Sequence, residues 1–200
     1  MKKHKWLIYT VLLIACFTLT VCKTRNENKK AVESPVNANV QQVETTPNVS
    51  IHEAALNGQL AQVTSLIERG INVNSKDEDG RTALMYASFN GHTDIIRKLI
   101  EKCAVVDLRD SNGRTALMMA SSGPYPMAVK ELLDHQADPN ITDNEEHFTA
   151  LMYAAAEGQL DVVKILLSYK ADPSLKDIDG DNAFTFANNN GHKEVAALLK

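Results

Sequence analysis

Few side chains in this 200-residue chain could do chemistry: six histidines, three cysteines and several clusters of acids. Metal ligation needs such groups to converge on one point, and acid–base catalysis needs a titratable group within reach of the reacting atoms. His92 and His192 each follow a glycine at the same place in a recurring stretch, which makes them framework of a turn. His135 and His147 are isolated, and His4 lies near the N-terminus. Cys103 has no histidine or acid recurring with it and reads as inert rather than as a redox site. Met85, Met118 and Met152 recur in phase, so they read as core fillers rather than as a metal box. DIDGD at 177–181 has the acids of a calcium loop but lacks the alternate spacing and the closing glutamate, so it reads as a turn. No phosphate loop is present. The residues therefore predict no catalytic site, no metal and no cofactor.

The first 22 residues read as a processing segment. Lys2, Lys3, His4 and Lys5 are a basic start, and WLIYTVLLI at 6–14 is an apolar run of secretory length. Leu13-Ile14-Ala15-Cys16 resembles a bacterial lipobox, in which the cysteine sulfur is lipidated and the chain is cut before it. Cys22, after Leu19-Thr20-Val21, is the alternative, with a bulkier residue before the cut. A soluble secreted form and an uncleaved anchor are the other readings of the segment, and in the plainest one both cysteines are only small apolar residues. Residues 23–47 hold no aromatic residue, leucine or isoleucine, and read as a flexible linker. As a random coil it would reach roughly 25–30 Å.

From residue 48 onward a pattern repeats. RTALMYASFNGH (81–92), RTALMMASSGPY (114–125) and FTALMYAAAEGQ (148–159) are near copies, and Thr82, Thr115, Thr149 and Asn182 fall 33, 34 and 33 residues apart. The period gives five units: 48–76, 77–109, 110–142, 143–176 and 177–200. Each opens with a turn such as DEDG or DSNG. A short helix follows, which the threonine can cap. Next come a glycine and a second helix with one apolar stripe, as in Ile95, Ile96, Leu99 and Ile100. ADPN (137–140) and ADPS (171–174) then stop the helix.

This grammar resembles the ankyrin repeat over nearly all of residues 48–200. The family's T-P-L-H signature stands here as Thr82-Ala83-Leu84-Met85, Thr115-Ala116-Leu117-Met118 and Thr149-Ala150-Leu151-Met152. Only the first unit keeps the histidine, as His52, which by position is the family's buried, hydrogen-bonded one. The resemblance implies an all-α solenoid of helix pairs with short β-hairpin loops, and a non-enzymatic protein-binding role. The position after the second helix is usually glycine, for a left-handed cap. Gly70 keeps it, but Cys103, Gln136 and Lys170 replace it, which predicts a less stable array. Pro124-Tyr125-Pro126 predicts a rigid inter-helix loop in the third unit, and DNEEHF (143–148) carries one extra residue.

Residues 48–200 contain 14 Lys and Arg against 22 Asp and Glu, a net of −8. Ten acids lie in the turns, at Asp77, Glu78, Asp79, Asp110, Asp143, Glu145, Glu146, Asp177, Asp179 and Asp181, and should line up as one ridge interrupted by Arg81 and Arg114. Such a ridge disfavours nucleic acid. It either steers a basic partner or is only a solvated edge of good turn formers. The resemblance places the partner-binding residues on the turn tips and the exposed face of the first helix. In unit two these are Glu78, Asp79, Arg81, Phe89 and Asn90; in unit three Ser111, Asn112, Arg114 and Ser122, with Tyr125 from the rigid loop. Unit four offers Glu145, Glu146, Phe148 and Glu157, and unit five Ile178, Asp179, Asp181 and Asn189. Phe89 and Phe148 either anchor an interface or tuck against neighbouring repeats. The expectation is a monomeric, lipid-anchored protein of a bacterial envelope, facing the periplasm or in the outer membrane. It would hold a protein partner as an inhibitor, immunity protein or scaffold. The alternative is a secreted effector that binds a host protein.

Overall fold

The computed structural model describes residues 49–200. The signal and lipobox segment, with Cys16 and Cys22, and the linker 23–47 lie outside the described residues.

Among the described residues ten helices follow one another in pairs: α1 (Ile51–Leu56) and α2 (Leu60–Glu68), α3 (Ala83–Phe89) and α4 (Thr93–Glu101), α5 (Ala116–Ser121) and α6 (Pro126–Asp134), α7 (Ala150–Ala156) and α8 (Leu160–Ser168), α9 (Ala183–Asn189) and α10 (Lys193–Leu198). The first helices of successive units pack in one row and the second helices in another, giving a two-layered all-α solenoid. No strand occurs among the described residues. The expected β-hairpins are reduced to tight turns, such as the one closed by Asp77 N–H donating to Arg81 O at 3.0 Å.

The first helices begin where the threonines predict. Thr82, Thr115 and Thr149 accept from the backbone N–H three residues on, at 3.4, 3.4 and 3.3 Å, as Asn182 does at 3.1 Å and Ser50 at 3.0 Å. Met85 and Met152 do more than fill the core: their sulfurs accept from the Thr82 and Thr149 N–H at 3.5 and 3.4 Å, closing reciprocal caps. Ala54, Ala87, Ala120, Ala154 and Ala187 form a fully buried column in which small side chains bring first helices close. Leu66, Leu99, Leu132, Leu166 and Leu199 form the matching buried column of the second row.

Rings from one unit close over the turn of the unit before. His92 and His192 present Nε2 to Leu56 O and Ala156 O, each at 3.0 Å; the carbonyl can only accept, so Nε2 carries the proton. In the third unit Tyr125 takes this place, its ring so close to Gly91 (φ +69°) that an added Cβ would meet it at 2.3 Å. His52, half-buried rather than buried, reaches Ser75 O at 2.8 Å.

The helix-end position behaves as the sequence predicts. Gly70, Cys103, Gln136 and Lys170 have φ of 89°, 65°, 67° and 66°. The residue after each bonds back to the second helix, as Ala137 N–H does to Leu132 O at 3.1 Å. Three non-glycine residues therefore sit in a conformation that a β-carbon disfavours. Replacing Gln136 and Lys170 together by glycine should raise stability by about 1–2 kcal/mol in urea unfolding. An unchanged midpoint would show that the strain is already relieved.

A second row of junctions joins the units beside these caps. Asn74 accepts from Val105 N–H at 2.8 Å and donates to Cys103 O at 3.2 Å, and Asn140 does the same with Asp172 N–H (2.8 Å) and Lys170 O (3.3 Å). Between units two and three the equivalent residue is Asp107. Its two oxygens share Asp138 N–H at 3.3 Å each, and ionised it has no proton for Gln136 O. Desolvation pushes its carboxyl up, the Asp138 N–H opposes this, and the Asp138 charge adds to it. A carboxyl raised in the folded state favours folding most when protonated, and loses that contribution as pH rises through the folded pKa. Asp107→Asn should therefore stabilise the array at neutral pH by about 1 kcal/mol. The gap from wild type should shrink as pH falls through the raised carboxyl range. Equal stability of the two proteins at every pH would overturn this account.

Candidate protein-binding face

The turns bring the acids together and then consume four of them. One carboxylate oxygen in each turn accepts two backbone N–H groups: Asp77 from Asp79 (3.0 Å) and Arg81 (2.8 Å), Asp110 from Asn112 (3.0 Å) and Arg114 (2.8 Å), Asp143 from Glu146 and Phe148 (both 3.1 Å), Asp177 from Asp179 (3.0 Å) and Asp181 (2.8 Å). The turns do line up, linked by Ser111 N–H to Asp79 O (2.9 Å), Asn144 N–H to Asn112 O (2.8 Å) and Ile178 N–H to Glu146 O (3.2 Å). The expected ridge is thinner than the sequence suggests, because Asp110 and Asp143 are buried. The extra residue of the fourth turn is absorbed at His147, with φ of 61°.

Asp110 is also a charge junction. Its second oxygen accepts from Arg114 Nε at 3.0 Å and Nη2 at 2.9 Å, and Arg81 Nε approaches it to 3.9 Å. Arg81 pairs further with Asp79 at 3.3 Å and lies 6.0 Å from the Tyr86 ring centre. The Tyr86 hydroxyl donates to Asp77 at 2.7 Å. Desolvation would raise the Asp77 carboxyl, but the Tyr86 hydroxyl and the Arg81 and Asp79 N–H groups, with the His52 charge, hold it below the usual range. Its donation to Asp77, and then burial, push the Tyr86 phenol up, so it stays a donor. Tyr153 repeats the contact on Asp143 at 2.9 Å, with burial as the larger cause of its own upward shift.

Of the residues expected to bind a partner, Glu78, Asp79, Ser111, Glu145, Glu146, Glu157, Asp179 and Asn189 are exposed, as are Phe89 at 52% and Ile178 at 55%. Arg81, Asn112, Arg114, Ser122 and Asp181 are half-buried beside them. Asn90 is committed to the framework: its amide donates to Leu56 O at 2.8 Å, as Asn190 does to Ala156 O. Tyr125 is packed on Gly91 as described, and Ser122 donates to Met119 O at 2.9 Å. Phe148 tucks against neighbours, edge-on to Tyr153 (5.5 Å between ring centres) and to Phe186 of the next unit (4.9 Å).

Three of the expected residues do converge. Arg81, Phe89 and Arg114 surround a cavity of about 180 Å³ together with Leu56, Met85, Tyr86 and Met119. Tyr86 and Met119 were not singled out from the sequence. The signal was present: a large residue stands four places after the capping residue in units two to five, as Tyr86, Met119, Tyr153 and Phe186. Among the described residues no group of three or more His, Cys, Asp or Glu could hold a metal ion. What the face offers is an apolar hollow with charged edges.

A family model described as ankyrin repeats (3 copies) matches residues 51–143 and 125–200. The chain belongs to the ankyrin-repeat family. Ankyrin repeats are generally protein–protein interaction modules on a non-enzymatic binding fold. A comparison with curated proteins finds no match.

Within this ankyrin array the two phenylalanines should separate cleanly. Phe148→Ala should cost about 1–3 kcal/mol of stability, because its ring contacts are lost and a partial cavity remains. Phe89→Ala should stay within about 0.5 kcal/mol, as exposed positions do. Urea unfolding of both variants checks this, and equal losses would show that Phe89 is a packing residue too.

Proposed function

We propose that this protein is a non-enzymatic binding module of the bacterial cell envelope, anchored by lipid at Cys16 or Cys22 and holding one protein partner as an inhibitor, immunity protein or scaffold. The observation that carries the binding role is the apolar hollow around Phe89, a large ring left half in water on the face where the first helices meet the turns. A monomer needs no such exposed ring for its own packing. The lipobox-like Leu13-Ile14-Ala15-Cys16 supports the anchored location, and the linker 23–47 supports display away from a membrane surface.

The full chain, expressed with a labelled fatty acid, should take up label that is lost in Cys16→Ala or in Cys22→Ala. Unlabelled protein recovered from the medium would remove the anchor and favour the secreted effector. In the same cells, crosslinking should join the wild-type protein to one partner, and Phe89→Ala should weaken that yield with helical content unchanged. Substrate turnover by the purified protein, abolished by a single histidine or acid substitution, would overturn the non-enzymatic reading.

A further inference from the structure

The hollow around Phe89 does not end at unit two. Through two shared residues, Leu56 and Tyr86, it adjoins a second hollow of about 520 Å³ over the first helix of unit one. The two halves differ in chemistry. The smaller is floored by Leu56, Met85, Phe89 and Met119. The larger is edged by Glu53, Asp77, Glu78 and Asp79.

The charges are not balanced across this groove. Arg114 is taken up by Asp110 at 2.9 Å, and Arg81 is shared between Asp79 at 3.3 Å and Asp110 at 3.9 Å. Both cations at the junction are thus already neutralised. Asp77 keeps its charge under the Tyr86 hydroxyl and two backbone N–H groups. Glu53 and Glu78 are in no ion pair among the described residues. The unanswered charge of the groove is negative, and so is the array around it, which carries 14 Lys and Arg against 22 Asp and Glu over residues 48–200.

We infer that this groove takes a segment of a protein partner in which a large apolar side chain stands beside lysine or arginine. The apolar side chain fills the hollow between Phe89 and Met119, and the cation lies between Glu53 and Glu78. The smaller hollow has space for roughly six waters at about 30 Å³ each. That suits one large side chain, whose entry returns those waters to bulk and covers Phe89. The acids then fix direction along the groove and raise the association rate through the array's field. An acidic segment meets repulsion with no unpaired arginine or lysine in the groove lining to answer it. A basic segment lacking the apolar residue is left with exposed ion pairs, which salt screens. The inference rests on the binding-module reading and names the partner's chemistry within it.

The probes are short fluorescent peptides, read by anisotropy against the full-length protein. One pairs a tryptophan with two lysines; a second has alanine for the tryptophan; a third has glutamate for the lysines. The first peptide should bind, and the second and third should each bind at least about tenfold more weakly. Met119→Ala should weaken the first peptide about tenfold, and Glu53→Gln with Glu78→Gln about fivefold while flattening its salt dependence. Glu68→Gln with Asp161→Asn, exposed on the second helices away from the groove, should leave it unchanged. Circular dichroism confirms that each variant is folded. Equal binding of the glutamate peptide, equal loss in the distant control, or no binding of the lysine peptide overturns the inference. The binding-module reading is judged separately. If the groove variants still crosslink to the cellular partner at wild-type yield, the module stands and this groove is not its site.

Discussion

No unit of this chain can bury its own apolar surface. Each is two helices of six to nine residues, too short to persist alone in water, and each offers one apolar flank to the unit before it and another to the unit after it. The alanine column of the first helices and the leucine column of the second are buried only because a neighbour covers them. Everything else in the structure serves that stacking. The capping Ser50, Thr82, Thr115, Thr149 and Asn182 fix where the first helices start, and the rings of His92, Tyr125 and His192 lock three of the inter-helix turns onto the ones before them.

Polar groups pass the same dependence along the edges. Asp77, Asp110, Asp143 and Asp177 spend their carboxylates on their own turn backbones, and the turn tips then bond to one another. These contacts are not uniform. Arg97 makes a two-point pair with Glu131 across units two and three, at 2.9 and 3.2 Å. The same junction carries Asp107 where its neighbours carry asparagine. An array with nearest-neighbour coupling has its weakest seam wherever one such term is missing.

The face that remains is what stacking leaves over. Once the turn aspartates, Asn90 and Phe148 are accounted for by the framework, exposed side chains remain in units two to five, and those that border the two hollows around Tyr86 lie over units one to three. Phe89 is the largest of them. Exposure there is paired with a hollow beside it, which distinguishes it from the scattered exposed apolar residues elsewhere, such as Met127 on the other helix row.

The period of 33 residues, the capping threonines and the apolar stripes were legible in the sequence because they are local or recur in phase, and repetition turns weak signals into a strong one. The left-handed strain at Cys103, Gln136 and Lys170 was legible for the same reason: an αL cap is a property of a few consecutive residues. What the sequence could not separate was which of two similar side chains is used inside the fold. Phe89 and Phe148 both looked exposed, yet one stands in water and the other packs on Phe186, because that contact joins residues 38 apart across a unit boundary. Asp110 looked like one acid among ten, yet it is buried between two arginines. The sequence by itself determined the units and their stacking, since those follow from periodicity and backbone chemistry. Only the tertiary structure decided which charges and rings remain for a partner, since that depends on what the neighbouring unit places within reach.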